Sequence, residues 1–451
     1  MNCLHVLPEL EALEAKYPQV LTVVGIHSAK FPNERQAASL HHAIHRHHIQ
    51  HPVVNDTEFA IWDRYSVRAW PTLVLIDPAG YVVAAVTGEG NGPTLDSRIG
   101  ELVAEHRATG TLRAGPRPAV PTDDAGDAPL AFPGKVAVEP ASGSLAVADS
   151  GRHRVLVADL DGAVRAVVGT GKPGAADGPF PDASFCHPQG LAFHAGGLYV
   201  ADTENHLIRR VDLVTRRVET IVGTGRQAHG PLRLPEDGPL AVDLNSPWDL
   251  VILNGILYIA MAGCHQVWGL DLTQGSLEHV CGTGREALVD GPRLEASMNQ
   301  PSGITTDGSL LYVADSEASA IRSIDPRPGG WIRTLVGVGL FEFGDRDGGG
   351  GSVRLQHPLG VAALNGRIYL ADTYNHKIKV LFPSLQRVES LFGTGRPGSA
   401  EGLRAELFEP GGLAATPGRL FIADTNNHRV CVADLAAETV TSLRLHPPGA
   451  A

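Results

Sequence analysis

The chain is short of the residues that carry most covalent chemistry. Five cysteines are scattered through 451 residues, at positions 3, 186, 264, 281 and 431. None forms a C-x-x-C pair and the number is odd, which excludes a disulfide framework and makes a reducing cytoplasm the expected setting. Positive charge is also scarce, with 37 Lys plus Arg against 49 Asp plus Glu and a net charge of −12. That balance excludes nucleic acid as the main partner, because phosphate binding needs a basic face. No apolar run approaches the ~20 residues of a membrane helix. The longest runs, 20–26 and 256–264, are strand-sized. The opening Met1-Asn2-Cys3 has neither a basic region nor an apolar core, so no secretory leader is expected. Aromatic residues make up 6% and methionines number three, which leaves little for a Met-rich groove.

What is abundant is turn chemistry. Glycine (52) and proline (32) together exceed their usual share of about 12%. From residue 132 onward one block recurs. Its core reads LYVADTENHLIRRVDL at 198–213, IYLADTYNHKIKVL at 368–381 and LFIADTNNHRVCVADL at 420–435. Weaker copies start at Leu145, Leu257 and Leu311, making six. A Gly-x-Gly closes each block except the last, at Gly169, Gly223, Gly282, Gly337 and Gly393, with spacings of 54, 59, 55 and 56. A proline opens blocks two to six, as in His187-Pro188-Gln189-Gly190 and His357-Pro358-Leu359-Gly360. Each block holds four short apolar runs separated by turns, the pattern of a propeller blade. Six blades arranged radially leave no long exposed edge strand. A stacked solenoid is the rival, but its repeats run about 20–47 residues.

Residues 1–106 read differently, as alternating helices and short strands of an α/β layer. Helices are expected over 4–17, 34–48, 59–65 and 95–106. Strands are expected over 20–26, 72–76 and 81–87, with a short segment at Val53-Val54. Residues 107–131, with four Pro, three Gly and six Ala, read as a linker.

The recurring ADTxNH core with its Gly-x-Gly close resembles the NHL repeat, six copies covering 132–446. The first 106 residues resemble a thioredoxin-like domain of the TlpA type, on Trp70-Pro71-Thr72, the LVLIDPAG stretch at 73–80 and Gly88-Glu89-Gly90. The expected fold is therefore multidomain: a partial α/β thioredoxin-like domain, then an all-β six-bladed NHL-type propeller. The resemblance implies that 2–18 is the helix following a redox C-x-x-C, with Cys3 at its second, resolving cysteine. The first cysteine and the central strand would then fall before Met1, so an N-terminally truncated chain is the expectation. A decayed redox site is the alternative. The resemblance also makes Pro71 a cis-proline. It would present the Trp70 backbone to an extended partner chain.

These residues define the candidate redox site: Cys3, Trp70, Pro71 and Thr72. No cofactor and no metal is expected. His41, His45 and His48 share a helical face, but no closed ligand set surrounds them. The repeat's Asp149, Asp202, Asp315, Asp372 and Asp424, and His153, His206, His265, His376 and His428, are expected to brace tight turns. Met261 and Ser319 interrupt the two series. Strand parity places the motif loops on the same face as the long connections between blades, which contain acidic-Gly pairs such as Asp177-Gly178 and Asp290-Gly291. Long ordered connections often carry binding. Three functions follow. The first is a monomeric interaction scaffold for a protein or peptide, beside a redox-type module. The second is a thiol-disulfide oxidoreductase whose propeller selects the substrate, inactive in the truncated form. A metal-dependent hydrolase or lyase on the propeller axis is a third.

Overall fold

The computed structural model describes residues 2–116, 118, 126, 128–229 and 237–446. The chain divides into two compact units, Met1–Asp124 and Ala125–Ala451. The 107–131 stretch is ordered at both of its ends. Gly115 N–H donates to Gln19 O in the first unit, and Leu130 is core in the second. Its middle, at 117, 119–125 and 127, lies outside the described residues.

The first unit is built from α1 (Asn2–Lys16), β1 (Gly25–His27), α2 (Ala37–Arg46), β2 (Val53–Asn55), α3 (Ala60–Arg64), β3 (Thr72–Ile76), β4 (Val82–Thr87) and α4 (Gly92–Ala108). β1 pairs in parallel with β2, and β3 pairs antiparallel with β4. Among the described residues no ladder joins the two pairs. The buried strand expected over 20–26 is accordingly a three-residue strand. Val24 and Ile26 stay exposed, because a two-stranded ladder gives their side chains little to pack against. The unit's small core is Leu13, Leu95 and Ile99, under Tyr17, Leu73, Leu75 and Val86.

The second unit is a six-bladed propeller. Blade one consists of β5 (Val136–Glu139), β6 (Ser144–Asp149), β7 (Arg154–Asp159) and β8 (Val164–Val168), in consecutive antiparallel order. Blade two repeats this with Pro188–His194, Gly197–Asp202, Leu207–Asp212 and Arg217–Val222, and the remaining four follow the same plan. Apolar layers between neighbouring blades form the core, such as Val200 and Phe185 against Val155 and Val168. The last blade meets the first without exchanging a strand. His446 N–H donates to Gly162 O at 2.9 Å, and Val164 N–H donates to His446 O at 3.0 Å.

The Gly-x-Gly landmark has a steric cause. Gly223 and Gly393 have φ of +103° and +92°. A Cβ there would lie 2.6 Å from His206 O and 2.3 Å from His376 O. The strand ends against the carbonyl of its own blade's motif histidine, and only glycine fits.

Candidate functional site

The motif residues come first, because their recurrence could signal either ligands or bracing. The motif Asp is fully buried in five blades. Asp202 Oδ1 accepts from Cys186 N–H at 2.7 Å, and its Oδ2 accepts from Asn205 and from the Arg209 guanidinium at 2.7 and 2.8 Å. Asp315 pairs likewise with Arg322, and Asp372 with Lys379. These cations lie seven residues after their Asp, on the third strand. Blades one and six use Arg154 and Arg429, five residues on. Burial pushes Asp202 up to about 6, against the pull of Arg209. Blade three exchanges the whole pair for Met261 and Trp268, which share one apolar core.

The next motif residue stitches blades together. Thr203 Oγ1 donates to Pro247 O at 2.7 Å, Thr373 to Pro410 O at 2.8 Å, and Thr425 to Pro133 O at 2.8 Å. Ser150 and Ser316 do the same to Pro188 and Pro358. Blade three has Ala262 and lacks the hydroxyl. The motif His completes the stitch in its αL position. Nδ1 of His153, His206, His265, His376 and His428 accepts the backbone N–H of His187, Ser246, Gln300, Glu409 and Phe132 in the following blade, at 3.1–3.2 Å. Ser319 Oγ substitutes in blade four, accepting from His357 N–H. All six blade junctions, including the closing one, carry this bond.

Three acidic-Gly pairs of the connections, at Asp177, Asp290 and Asp347, also brace the fold. Asp177 accepts from Thr220 N–H, Thr220 Oγ1 and Arg209. Asp290 and Asp347 repeat the pattern with Thr334 and Ser390. The following glycine pairs with the outer strand, as Gly178 with Val218. Asp177, Asp290 and Asp347 thus each fasten a connection to the outer strand of the blade it enters.

The axis is filled. Lys135, 3% exposed, projects from the innermost segment of blade one. Its Nζ donates to Ser302 O at 2.8 Å and to Leu359 O, on blades four and five, and lies 3.5 Å from Asp249 Oδ2 of blade three. Burial lowers the Lys135 pKa and raises that of Asp249, each opposed by the other. Sequence reading missed Lys135, because a lone Lys before a strand carries no signal until the ring closes.

In the first unit the Trp70–Pro71 peptide is cis, as the motif implied. Pro71 is buried, and its carbonyl accepts Gly88 N–H at 3.0 Å. Trp70 packs on Trp62 with centroids 4.5 Å apart and donates Nε1–H to Ser28 O at 2.8 Å. Thr72 Oγ1 donates to Ala69 O at 2.7 Å. Cys3 is exposed in the first turn of α1, although a resolving position is usually the more buried. His5 pairs with Glu89, and Glu9 accepts Gly90 N–H and Gly92 N–H at 2.9 Å. The first turns of α1 and Pro71 therefore meet the same turn at 88–90. In the histidine-rich stretch, His41 and His45 Nε2 atoms lie 3.2 Å apart, and His51 pairs with Glu14.

The propeller thiols are poor nucleophiles. Burial pushes Cys281 up to about 12, and burial also raises Cys186, Cys264 and Cys431. None of the five cysteines is in a disulfide.

Fold and site together define a thioredoxin-like module coupled to a six-bladed propeller of NHL type. Comparison with known proteins agrees. The thioredoxin-like family model matches residues 1–82, and the NHL repeat model matches 185–210 and 355–381. Protein SUPPRESSOR OF QUENCHING 1, chloroplastic, of Arabidopsis thaliana is 43% identical over 96% of this chain and 43% of its own length. NHL repeat-containing protein 2 of Gallus gallus is 38% identical over 99% of this chain and 67% of its own. The chain belongs to the family of NHL-repeat-containing proteins with an N-terminal thioredoxin-like domain. It spans less than half of the Arabidopsis relative. Among solved structures, a streptogramin B lyase covers 71% of this chain at 10% identity with a TM-score of 0.45. Among the described residues no helix is long and apolar enough to cross a membrane.

Proposed function

We propose that the propeller is a protein- or peptide-binding scaffold beside a redox-type module, working as a monomer in the reducing cytoplasm. One observation carries this. The repeat's polar residues are consumed in bracing blades and Lys135 fills the axis, whereas exposed apolar side chains remain in the connections: Val289, Leu294, Val338, Phe341 and Leu403. Apolar residues on ordered loops are what a peptide would use. The free-energy gain comes from burying them, about 25 cal/mol per Å² of apolar area.

The test is selection of peptides from a random library against the whole chain, followed by titration against Phe341→Ser and Leu403→Ser variants. Selected peptides should weaken at least about tenfold on one of the two, a loss of about 1.4 kcal/mol. Peptides that bind both variants with unchanged affinity would remove the reading.

A second reading, thiol exchange with the propeller choosing substrate, is favoured by one observation: Cys3 is exposed in the first turn of a helix. Trp70, Pro71 and Thr72 would then form the substrate-facing side. Exchange needs a resolving partner, and no other cysteine lies in residues 1–124. This chain should therefore leave insulin disulfides unreduced, whereas a chain extended to carry a Cys three residues before Cys3 should reduce them; an inactive extended chain would remove this reading.

A further inference from the structure

Blade two differs from the other five at three positions that share one backbone geometry. In that geometry the residue two before the opening strand's proline-linked turn meets the residue after the motif Thr. Glu204 N–H donates to Cys186 O at 3.2 Å. The equivalent bonds join Gly151 to Ala131, Glu317 to Asn299, Tyr374 to Gln356 and Asn426 to Phe408. Blade two alone fills the three positions with metal-type donors: Cys186, His187 and Glu204. The others carry Ala131, Phe132 and Gly151; Asn245, Ser246 and Gly263; Asn299, Gln300 and Glu317; Gln356, His357 and Tyr374; or Phe408, Glu409 and Asn426. Bracing the blade therefore does not require Cys, His and Glu here.

The donors converge. Cys186 Sγ lies 3.5 Å and His187 Nδ1 2.6 Å from the same Glu204 Oε2. Tetrahedral bonds of about 2.3 Å to sulfur and about 2.0 Å to oxygen put S and O about 3.5 Å apart, which is the separation found. The His–Glu pair must open to about 3.3 Å to hold such an ion. Glu204 is exposed and can rotate to do so, while Cys186 is half-buried and His187 buried. The backbone beneath is fixed, since Cys186 N–H is held by Asp202 and His187 N–H by His153. The His153 ring packs edge-on to His187 at 4.5 Å and limits its rotation.

We infer that Cys186 Sγ, His187 Nδ1 and Glu204 Oε2 form a three-donor, zinc-type metal site. Thiolate, imidazole and carboxylate are a donor set suited to zinc or cobalt, not to calcium or magnesium. Coordination displaces the Cys186 thiol proton to solvent and leaves a metal–thiolate bond. Without a metal, burial and the neighbouring Glu204 and Asp202 carboxylates hold that thiol protonated. A divalent cation reverses their effect by supplying the positive charge those carboxylates lack.

The probe is Co²⁺ titrated into the full chain, read by the thiolate-to-cobalt charge-transfer band, with bound metal per chain measured separately. One equivalent should bind and show the band, and Zn²⁺ should displace it. Cys3→Ser, which removes the exposed thiol of the first unit, should leave the band intact. Cys186→Ser should abolish it. Glu204→Gln, at an exposed side chain, should weaken binding at least about tenfold. That variant decides the matter if Cys186→Ser fails to fold. Absence of the band, its survival in Cys186→Ser, or unchanged Co²⁺ affinity in Glu204→Gln would each overturn the site.

Discussion

Replacing Asp202 by alanine removes an acceptor for three donors: Cys186 N–H, Asn205 and the buried Arg209 guanidinium. Breaking a buried ion pair costs about 3–5 kcal/mol, because the surviving charge is left uncompensated. Arg209 keeps Ser184 O, Ala176 O and Asp177 as partners, which places the cost at the lower end. About 3–4 kcal/mol is expected. The propeller unit, Ala125–Ala451, has an unfolding entropy near 0.7 kcal/mol per degree at about 2.1 cal/mol/K per residue. The propeller transition in calorimetry should therefore fall by roughly 5 °C. Blade three supplies the control. Its Met261 and Trp268 occupy the same two positions and pack in a buried cluster, so Asp202→Met with Arg209→Trp should recover about half the loss. The remainder reflects the orphaned Cys186 N–H, worth about 1–3 kcal/mol. A single variant costing under about 1 kcal/mol, or a double variant no better than the single, would refute the assignment of this Asp as a brace.

Ala262→Ser should restore the missing hydroxyl of blade three and raise stability by about 1 kcal/mol, seen as a higher denaturation midpoint. Gly223→Ala forces a Cβ to 2.6 Å from His206 O at φ +103°, and should destabilise by more than about 2 kcal/mol in the same assay. Lys135→Met leaves Asp249 buried without its cation and should cost about 3–5 kcal/mol, which Asp249→Leu added to it should largely relieve. Burial holds His376 below the usual histidine range. Its stabilising contribution is therefore complete above the unfolded value of about 6.5 and is lost as pH falls toward its folded value. His376→Asn should flatten the loss of stability below about pH 6.5 relative to the parent chain, by up to ~1.4 kcal/mol per pH unit. An unchanged slope would contradict this.

The propeller was legible because its signals are repeated. Six copies of one core, each closed by glycine and opened by proline, fix blade number and strand order without any long-range information. Bracing by the motif Asp and His was legible in kind, since short polar side chains at tight turns bond nearby backbone. Its reach was not, because His153 bonds His187 across a blade boundary that sequence order hides. Arg209, Arg322 and Lys379 sit mid-strand, where alternation would place either an outward charge or a buried partner, and only the packed blade shows which. The acidic-Gly connections looked like binding loops because length and exposure are all a sequence displays of them. Lys135 and the Cys186–His187–Glu204 group each depend on three-dimensional convergence: the first joins segments more than 100 residues apart, the second a strand opening to a motif loop. In the first unit the cis Trp70–Pro71 bond followed from a motif, whereas the exposure of Val24 and Ile26 followed from which strands pair.

The central claim is that the recurring histidines are acceptors joining blades. Nitrogen-15 spectroscopy of the imidazoles in the full chain tests it directly. His153, His206, His265, His376 and His428 each accept a backbone N–H at Nδ1, so all five should be neutral Nε2–H tautomers at pH 7, each with a hydrogen-bonded Nδ1. Nδ1–H tautomers, or imidazolium signals at these positions in the folded chain, would contradict the account.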